Sequence, residues 1–251
     1  MARKNFKAGA LTAPLPPVMV TVGDMESANI ITIGWTGILS TIPPRTYISV
    51  RPQRHSYGIL KRTGEFVINL TTADQARVVD YVGIYTGAKV DKFKECSLTK
   101  VESKEVSAPT IKECPLALEC RVIETIPMGT HDVFIADIVS VSCDEKILDD
   151  DGKIRFDKAG LLAYAHGEYY ALGDKVGKFG FSTKKPEKKP AKANPKTDGN
   201  SKAESNLKKF KTESKTKDAT GSGEPSENKK RPFYLDAPRG KGKQKGRGNK
   251  R

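Results

Sequence analysis

Residues 29–70 read NIITIGWTGILSTIPPRTYISVRPQRHSYGILKRTGEFVINL, and this stretch decides the fold class. Three runs within it are rich in β-branched and aromatic residues and are bounded by Gly or Pro, which predicts three short strands. These runs are residues 30–33, 46–50 and 66–70. Pro43 and Pro44 separate the first strand from the second, because proline donates no backbone hydrogen bond.

A short helix is predicted between the second and third strands, with Ser56 as its N-cap and Gly64 just past its end. Its start lies beside Arg51, Arg54 and His55. A helix N-terminus offers unpaired N–H groups and the positive end of the backbone dipole, so we expect an anion, most simply a phosphate, to bind there. An ordinary N-cap on a basic surface loop would give the same local pattern.

The only tryptophan, Trp35, lies between Gly34 and Gly37. Glycine lets a backbone approach a flat ligand closely, so that its amides can face polar ring edges. A core tryptophan flanked by glycines at barrel corners is the alternative. Taken with the helix start, the segment predicts a site for a phosphorylated, planar ligand.

The pattern beyond this stretch stays mostly β. Alternation predicts strands over residues 116–126 and 133–141, and the apolar spacing predicts a short helix over residues 72–82. Residues 149–152 contain an Asp-Gly pair that suits a hairpin turn. This order of elements predicts a closed or nearly closed antiparallel barrel with a few helices outside it.

Charge divides the chain into two parts. Residues 183–251 hold 22 Lys and Arg against 8 Asp and Glu, a net of +14, which is the whole net charge of the protein. Only ten residues of this segment are apolar or aromatic, too few to offset chain entropy by burial, so we expect it to be disordered. Residues 1–182 are neutral overall and suit a single domain with a core of ordinary size.

Cysteine usage and hydropathy point to a soluble, cytoplasmic protein. The four cysteines form no CxxC pair, and prolines interrupt the one early apolar segment, so no secretory signal is expected. No apolar run approaches the roughly 18 residues that a membrane span needs. Asn69 begins a glycosylation sequon that we attribute to chance. The three scattered histidines and the cysteines give no metal-ligand spacing, and no GxGxxG motif follows a strand.

Seven motifs in order over about residues 10–182 resemble one known family: TIGWTG, PPRTYISVRP, SYGILKRTGEFVINL, GAKVDKF, ECPLALECRV, GTHDVFIADIVSV and AYAHGEYYALGDKVGKFGFS. They are similar to the flavin reductase-like, FMN-binding split-barrel family, closest to its flavoredoxin branch. The resemblance implies an antiparallel split β-barrel of Greek-key type. It also implies a homodimer with FMN at its interface, and hydride transfer from NAD(P)H to the flavin and on to an acceptor.

The resemblance further implies which residues contact FMN. Backbone from Thr32 to Gly37 would face the ring, residues 49–51 would flank the ribityl chain, and two lysines would join the helix start around the phosphate. The implied FMN-binding set is Thr32, Gly34, Trp35, Thr36, Gly37, Ser49, Val50, Arg51, Arg54, His55, Ser56, Asn69, Lys89 and Lys92. His55 stands where relatives often have an aromatic residue and Lys89 where arginine is common, which leaves the exact contacts open.

Three side chains keep alternative interpretations. Lys89 and Lys92 would on composition alone be solvated surface lysines. By resemblance His131 lies at the flavin edge, and we assign it to the catalytic site in a positioning role rather than in proton transfer; a loop histidine with no ligand is the alternative. His166 is predicted to pack near the barrel wall.

Two other functions remain open at this stage. The first is a flavoprotein electron carrier that receives electrons from a protein donor instead of NAD(P)H. The second is weak binding of nucleic acid or an acidic partner through the Lys-rich tail, whose cations attract phosphates of any sequence. A tail that only solubilises or tethers the protein is the simpler alternative to that binding.

Overall fold

The computed structural model describes residues 2–183. Residues 184–251, which make up nearly all of the predicted disordered tail, lie outside the described residues. The disorder of the tail, its binding role and the domain boundary at residue 182 therefore stay predictions. Within residues 2–183, no helix is both long enough and apolar enough to cross a membrane.

The described chain is a mostly β fold with three α-helices. The strands are β1 (Val18–Val22), β2 (Asn29–Ile33), β3 (Thr36–Thr41), β4 (Pro44–Val50), β5 (Glu65–Leu70), β6 (Lys100–Val101), β7 (Thr110–Ile111), β8 (Leu116–Pro127), β9 (Asp132–Cys143), β10 (Leu162–Ala165) and β11 (Glu168–Ala171). The helices are α1 (His55–Thr63), α2 (Ala76–Ile84) and α3 (Lys92–Glu95). Seven strands pair antiparallel in the order β2-β1-β5-β8-β9-β4-β3, and β6–β7 and β10–β11 form two small hairpins.

One hydrophobic core lies inside the seven-stranded sheet. Buried side chains from β1, β2, β4, β5, β8 and β9 meet in a single cluster, and Leu60 of α1 packs into it. β2 is the first strand in this order and β4 is the last but one, and a flat sheet could not bring both to the same cluster, so the sheet curls around this core. The predicted antiparallel barrel is confirmed, and its two sheet edges are β2 and β3.

A second core lies on the outer face of β1 and β2. Met19 and Ile30 point to that face and pack with Val79 and Val82 of α2 and with Phe93 of α3. Strand side chains alternate between faces, so β1 and β2 can serve both cores at once. This packing fixes α2 and α3 beside β2, where one residue of α3 becomes part of the site described below.

The three strands predicted from residues 29–70 are confirmed as β2, β4 and β5. The long pair predicted over residues 116–141 is confirmed as β8 and β9, and the helix predicted after β5 corresponds to a short 3-10 turn followed by α2. Six strands were not predicted: the four that form the small hairpins β6–β7 and β10–β11, and two strands of the large sheet, β1 and β3. β1 follows the proline-rich start of the chain, and β3 begins within the glycine-flanked segment around Trp35.

The predicted N-cap of α1 is wrong by two residues. Arg54 takes the extended N-cap conformation and makes no side-chain cap, while Ser56 lies inside the first turn. The Ser56 hydroxyl oxygen instead accepts a hydrogen bond from Asn29 of β2, as described below. The predicted end is confirmed: Gly64 adopts a left-handed conformation with φ of 67° and donates its N–H to the Leu60 carbonyl.

Two further predictions differ from the structure. The turn predicted at residues 149–152 is present, because the Gly152 N–H donates to the Asp149 carbonyl, but its flanks form only an isolated bridge between Leu148 and Ile154 instead of the strands of a hairpin. His166 does not pack near the barrel wall, because it is exposed in the tight turn between β10 and β11 at a φ of 47°.

Candidate functional site

The site is built around the junction of β4 and α1. The chain leaves β4 at Val50 and turns at once, because the Arg54 N–H donates to the Arg51 carbonyl and the Tyr57 N–H donates to the Arg54 carbonyl. This turn places two arginines at the start of α1. α1 has no acidic residue in its first turn, so the positive end of its dipole is not neutralised within the helix.

Arg54 carries an electrostatic cost that no carboxylate relieves. Burial, and then the nearby Arg51, lower the pKa of the Arg54 guanidinium from its ordinary value. Among the ion pairs between residues 2–183, none includes Arg51, Arg54 or Lys92. Half-buried cations without a counter-charge favour binding of an anion, which would offset their mutual repulsion.

Lys92 brings a buried ammonium group to the same place. Its side chain is 4% exposed, and its Nζ donates to the carbonyls of Ile30 at 2.7 Å and Val82 at 2.8 Å. An ammonium has three donors, so one remains after these two bonds. Burial and then Arg54 lower the pKa of Lys92 to about 8, against an opposing effect of Cys96. Lys89, by contrast, is exposed in the turn before α3.

The Ser56 hydroxyl is held by a residue that the sequence did not single out. Asn29, the first residue of β2, donates from Nδ2 to the Ser56 oxygen at 2.7 Å, and both side chains are buried. Asn29 was missed because an asparagine just before an apolar run suggests only a turn. The feature that identifies Asn29 as a site residue is a buried amide at the start of an edge strand, and this burial is visible only once the packing is known.

A ring cluster lies on the other side of the β4–α1 junction. The rings of Trp35 and His131 are 4.6 Å apart between centroids and tilted by 45°. Arg51 Nε donates to His131 Nε2 at 3.3 Å, and His131 Nδ1 lies 3.0 Å from the Thr130 hydroxyl. Burial, and then the charges of Arg51 and Arg54, lower the pKa of His131. Both effects favour the neutral imidazole, and because the Arg51 Nε–H can only donate, Nε2 is the acceptor and the ring proton lies on Nδ1.

The Trp35–Gly37 segment is fixed by pairing with β4. Ser49 N–H donates to the Trp35 carbonyl at 3.0 Å, the Thr36 hydroxyl donates to the Tyr47 carbonyl at 2.6 Å, and Thr46 donates to the Gly37 carbonyl at 2.9 Å. These bonds hold the backbone of the only tryptophan beside the end of β4. The same pairing brings Trp35 to Ser49 and thus near Arg51.

A hydrogen bond joins the anion-binding end of the site to the ring cluster. Tyr57, in the first turn of α1, donates its hydroxyl to the Asp132 carboxylate at 2.6 Å, and this bond raises the pKa of the tyrosine. Asp132 directly follows His131 and opens β9. The start of α1 and the turn that bears His131 are thereby held together.

The structure does not bring every predicted contact residue into this cluster. The Val50 side chain is buried in the barrel core, so only its backbone is available to a ligand. The Thr32 hydroxyl donates to the Val79 carbonyl on the α2 side, and His55 is exposed. Asn69 lies apart: it is fully buried in β5 and bonds to Met19, Val67 and Ile111 backbone.

The arrangement can bind an anion and a flat ring side by side. Two arginines, one ammonium and a buried hydroxyl supply donors at the start of α1, and Trp35 with His131 supplies aromatic surface on the other side of Arg51. Within the described chain, no group of three or more His, Cys, Asp or Glu side chains could hold a metal ion. The site therefore has the residues of a binding site for an organic anion.

Comparison with known proteins agrees with this chemistry. Residues 11–173 match the family model described as the flavin reductase-like domain. The structure is similar to a flavoredoxin of Desulfovibrio vulgaris (Miyazaki F), at 33% identity and a TM-score of 0.68, covering 73% of this chain and all of that one. It is also similar to a flavoredoxin of Methanosarcina acetivorans, at 27% identity and a TM-score of 0.67, covering 73% and 98%.

In sequence, the chain is 36% identical over 129 residues to an uncharacterised protein of Archaeoglobus fulgidus, a match that covers 51% of this chain and 72% of that one. The family model spans most of the barrel, from the segment before β1 to the residues just past β11. The curled seven-stranded sheet is the split barrel that this resemblance implied. The chain belongs to the flavin reductase-like family.

Proposed function

We propose that this protein binds FMN and acts as an FMN-dependent NAD(P)H oxidoreductase. The observation that carries the proposal is the group of cations at the start of α1, Arg51, Arg54 and Lys92, which has no carboxylate partner within residues 2–183 and lies beside the Trp35–His131 pair. FMN has the same two parts, a phosphate dianion and a flat ring, joined by a chain long enough to link them.

The residues of the chain divide between these two parts. Arg54, Ser56 and Lys92 bind the phosphate, and charge-assisted hydrogen bonds make such contacts strong. The backbone of residues 34–37 faces the polar edge of the ring, as the pairing with β4 holds it in place. When bound, FMN supplies the hydride and electron chemistry, and the protein supplies binding, orientation and charge.

His131 orients the ring end of the site. Its neutral imidazole accepts from Arg51 and packs on Trp35, so it fixes both neighbours without carrying a charge itself. Both ring nitrogens of His131 are hydrogen-bonded, because Nε2 accepts from Arg51 and Nδ1 bonds to the Thr130 hydroxyl. Neither nitrogen is therefore free to transfer a proton. This pattern supports the positioning role predicted from the sequence.

We also propose that the protein works as a homodimer with FMN at the interface. β3 is a sheet edge, and three apolar side chains on it and in the turn that follows are exposed: Ile38, Leu39 and Ile42. A register shift between Ile38 and Ser40 is consistent with a bulge that turns two successive residues outward. An exposed apolar edge strand is a liability in a monomer, and a second copy would cover it.

The proposed oxidoreductase activity is tested with the purified protein. We expect a yellow protein that releases FMN on denaturation and whose bound flavin loses its absorbance near 450 nm when mixed anaerobically with NADPH or NADH. Arg54→Met should lose FMN on dialysis, whereas Arg62→Met, in the last turn of the same helix, should keep it. A colourless protein that takes up no added FMN would refute the proposal.

A second candidate function is electron transfer without a nicotinamide. The flavoredoxins that this structure resembles favour it. In that case the protein would bind FMN as proposed, but NADPH and NADH would leave the bound flavin oxidised, and a reduced protein donor would bleach it. The same stopped-flow experiment therefore separates the two functions.

A further inference from the structure

We propose that Asn29 is a positioning residue of the phosphate site, that it sets the direction of the Ser56 hydroxyl, and that Gly87 is required to leave it room. This inference rests on the proposed FMN function. It concerns how the site distinguishes a flavin with a terminal phosphate from one without.

The first step is the hydrogen bond from Asn29 to Ser56. Asn29 Nδ2 donates to the Ser56 oxygen at 2.7 Å, with Asn29 at 7% and Ser56 at 2% exposure. An amide NH₂ can only donate, so the serine oxygen must accept, and its own proton is directed elsewhere. A hydroxyl held as a donor at the start of a helix, beside Arg54, suits an anion and suits a neutral hydroxyl group less well.

The second step is the position of Asn29 on β2. Its neighbour Ile30 offers the carbonyl that accepts from Lys92 Nζ at 2.7 Å. Two adjacent residues of one edge strand therefore hold two separate phosphate donors, the serine hydroxyl and the lysine ammonium. A change at Asn29 should alter the first donor and leave the second in place, because Lys92 bonds to backbone.

The third step is Gly87, in the turn before α3. A Cβ on Gly87 would lie 2.1 Å from Asn29 Oδ1 and 2.5 Å from its Cγ, so any larger residue would collide with the amide. Gly87 is thus the residue that allows a buried asparagine at this position. The requirement concerns space, since the glycine has no positive φ.

The test compares binding of FMN with binding of riboflavin, which lacks the phosphate, by flavin fluorescence titration of the full chain. Asn29→Ala and Ser56→Ala should each weaken FMN binding by at least about tenfold, the value of one hydrogen bond to a charged group. Riboflavin binding should change by less than about twofold. Asn29→Asp should weaken FMN binding further, because its carboxylate would accept the serine proton and repel the phosphate.

Gly87→Ala should produce the same selective loss of FMN binding by displacing the Asn29 amide. Gly58→Ala is the matched control, because a Cβ at Gly58 in α1 meets no atom within 4 Å. If Gly87 acts through Asn29, the Asn29→Ala/Gly87→Ala double variant should bind FMN as Asn29→Ala does, since the collision is gone. Additive losses would overturn the assigned role of Gly87.

Thermal melting shows that each variant is folded. A ratio of FMN to riboflavin affinity that stays unchanged in folded Asn29→Ala and Asn29→Asp would overturn the inference. Failure of the proposed function looks different: the unaltered protein would bind neither flavin, and the inference would fail with it. Inorganic phosphate gives a separate readout, because it should raise the melting temperature of the unaltered protein and not that of Asn29→Asp.

Discussion

Single side chains decide how the two ends of the site differ chemically. Lys92 is a buried cation whose pKa has fallen to about 8, while His131 is kept neutral by burial and by two arginines. One group therefore gains or loses its charge just above neutral pH, and the other stays uncharged across the same range. This difference leads to two predictions about pH and one about the rate of flavin reduction.

FMN affinity should fall as pH rises above about 8, because the Lys92 ammonium that pairs with the phosphate loses its proton there. Arg54 faces Lys92 from α1, and Cys96, the C-cap residue of α3, faces it with a pKa that burial raises above its ordinary value, so the thiol is uncharged at pH 8. Fluorescence titrations from pH 6.5 to 9.5 should show the decline. Lys92→Met should bind more weakly at pH 7 and show a flat profile, and an equal slope in that variant would contradict the assignment.

The stability of the flavin-free protein should change in the opposite direction. The unfolded chain binds a proton at Lys92 up to its ordinary pKa of 10.5, while the folded chain has released it above about 8. Between these values the unfolded state binds more protons, so the contribution of Lys92 to the free energy of unfolding rises with pH. Urea unfolding of the unaltered protein minus that of Lys92→Met isolates this contribution.

His131→Ala should slow reduction of bound flavin by NADPH by about tenfold and change the FMN affinity much less. The imidazole orients Arg51 and Trp35 at the ring end, so its loss affects the reactive geometry and leaves the phosphate contacts intact. Stopped-flow reduction and fluorescence titration give the two values. His166→Ala, in the exposed β10–β11 turn, is the control, and a loss confined to FMN affinity would assign His131 to binding instead.

At the scale of secondary-structure elements, the stability of helix α1 depends on the backbone conformation of its C-cap residue. Gly64→Ala should lower the free energy of unfolding by about 1 kcal/mol, because the left-handed conformation at a C-cap strains any residue with a Cβ. Gly58→Ala, inside the same helix, should raise it by up to about 1 kcal/mol through helix propensity. Chemical denaturation measures both, and equal effects would show that the C-cap conformation is not what requires Gly64.

The strands that were predicted from the sequence differ in their surroundings from the strands that were not. β2, β4 and β5 combine β-branched residues with clear glycine or proline boundaries, and periodicity suffices for them. β3 contains Gly37 and Ser40 and exposes Ile38 and Leu39, so its pattern matches neither a buried nor a half-buried strand. Its pairing with β4 depends on tertiary contacts that local sequence does not contain.

The residues of the site could be predicted from the sequence where they belong to a local motif. Arg54 and Ser56 flank a recognisable helix start, and the fold brings together the rings of Trp35 and His131, which the resemblance assigned to one site. Asn69 shows the limit: a polar residue near the end of a strand looked available, yet its amide bonds backbone groups of β1, β5 and β7. Burial of polar side chains is a property of packing, and sequence alone does not give it.

At the scale of the whole molecule, the exposed edge of the barrel should determine the oligomeric state. Leu39→Lys should shift the protein from dimer to monomer in sedimentation velocity, because an edge-strand lysine opposes pairing with a second copy. If the flavin lies at that interface, the same variant should also lose FMN on dilution. Val141→Lys, at the far end of β9, is the matched control. A Leu39→Lys dimer of unchanged affinity would place the interface elsewhere.

The hydrogen bond between Tyr57 and Asp132 affects which residues of the site can change independently during evolution. It spans the start of α1 and the residue after His131, so a substitution that shifts the phosphate end would also shift the ring end. Changes of electron donor or acceptor are then easier to accommodate at positions outside this link. His55 and Lys89, which are exposed and take no part in this link, are such positions.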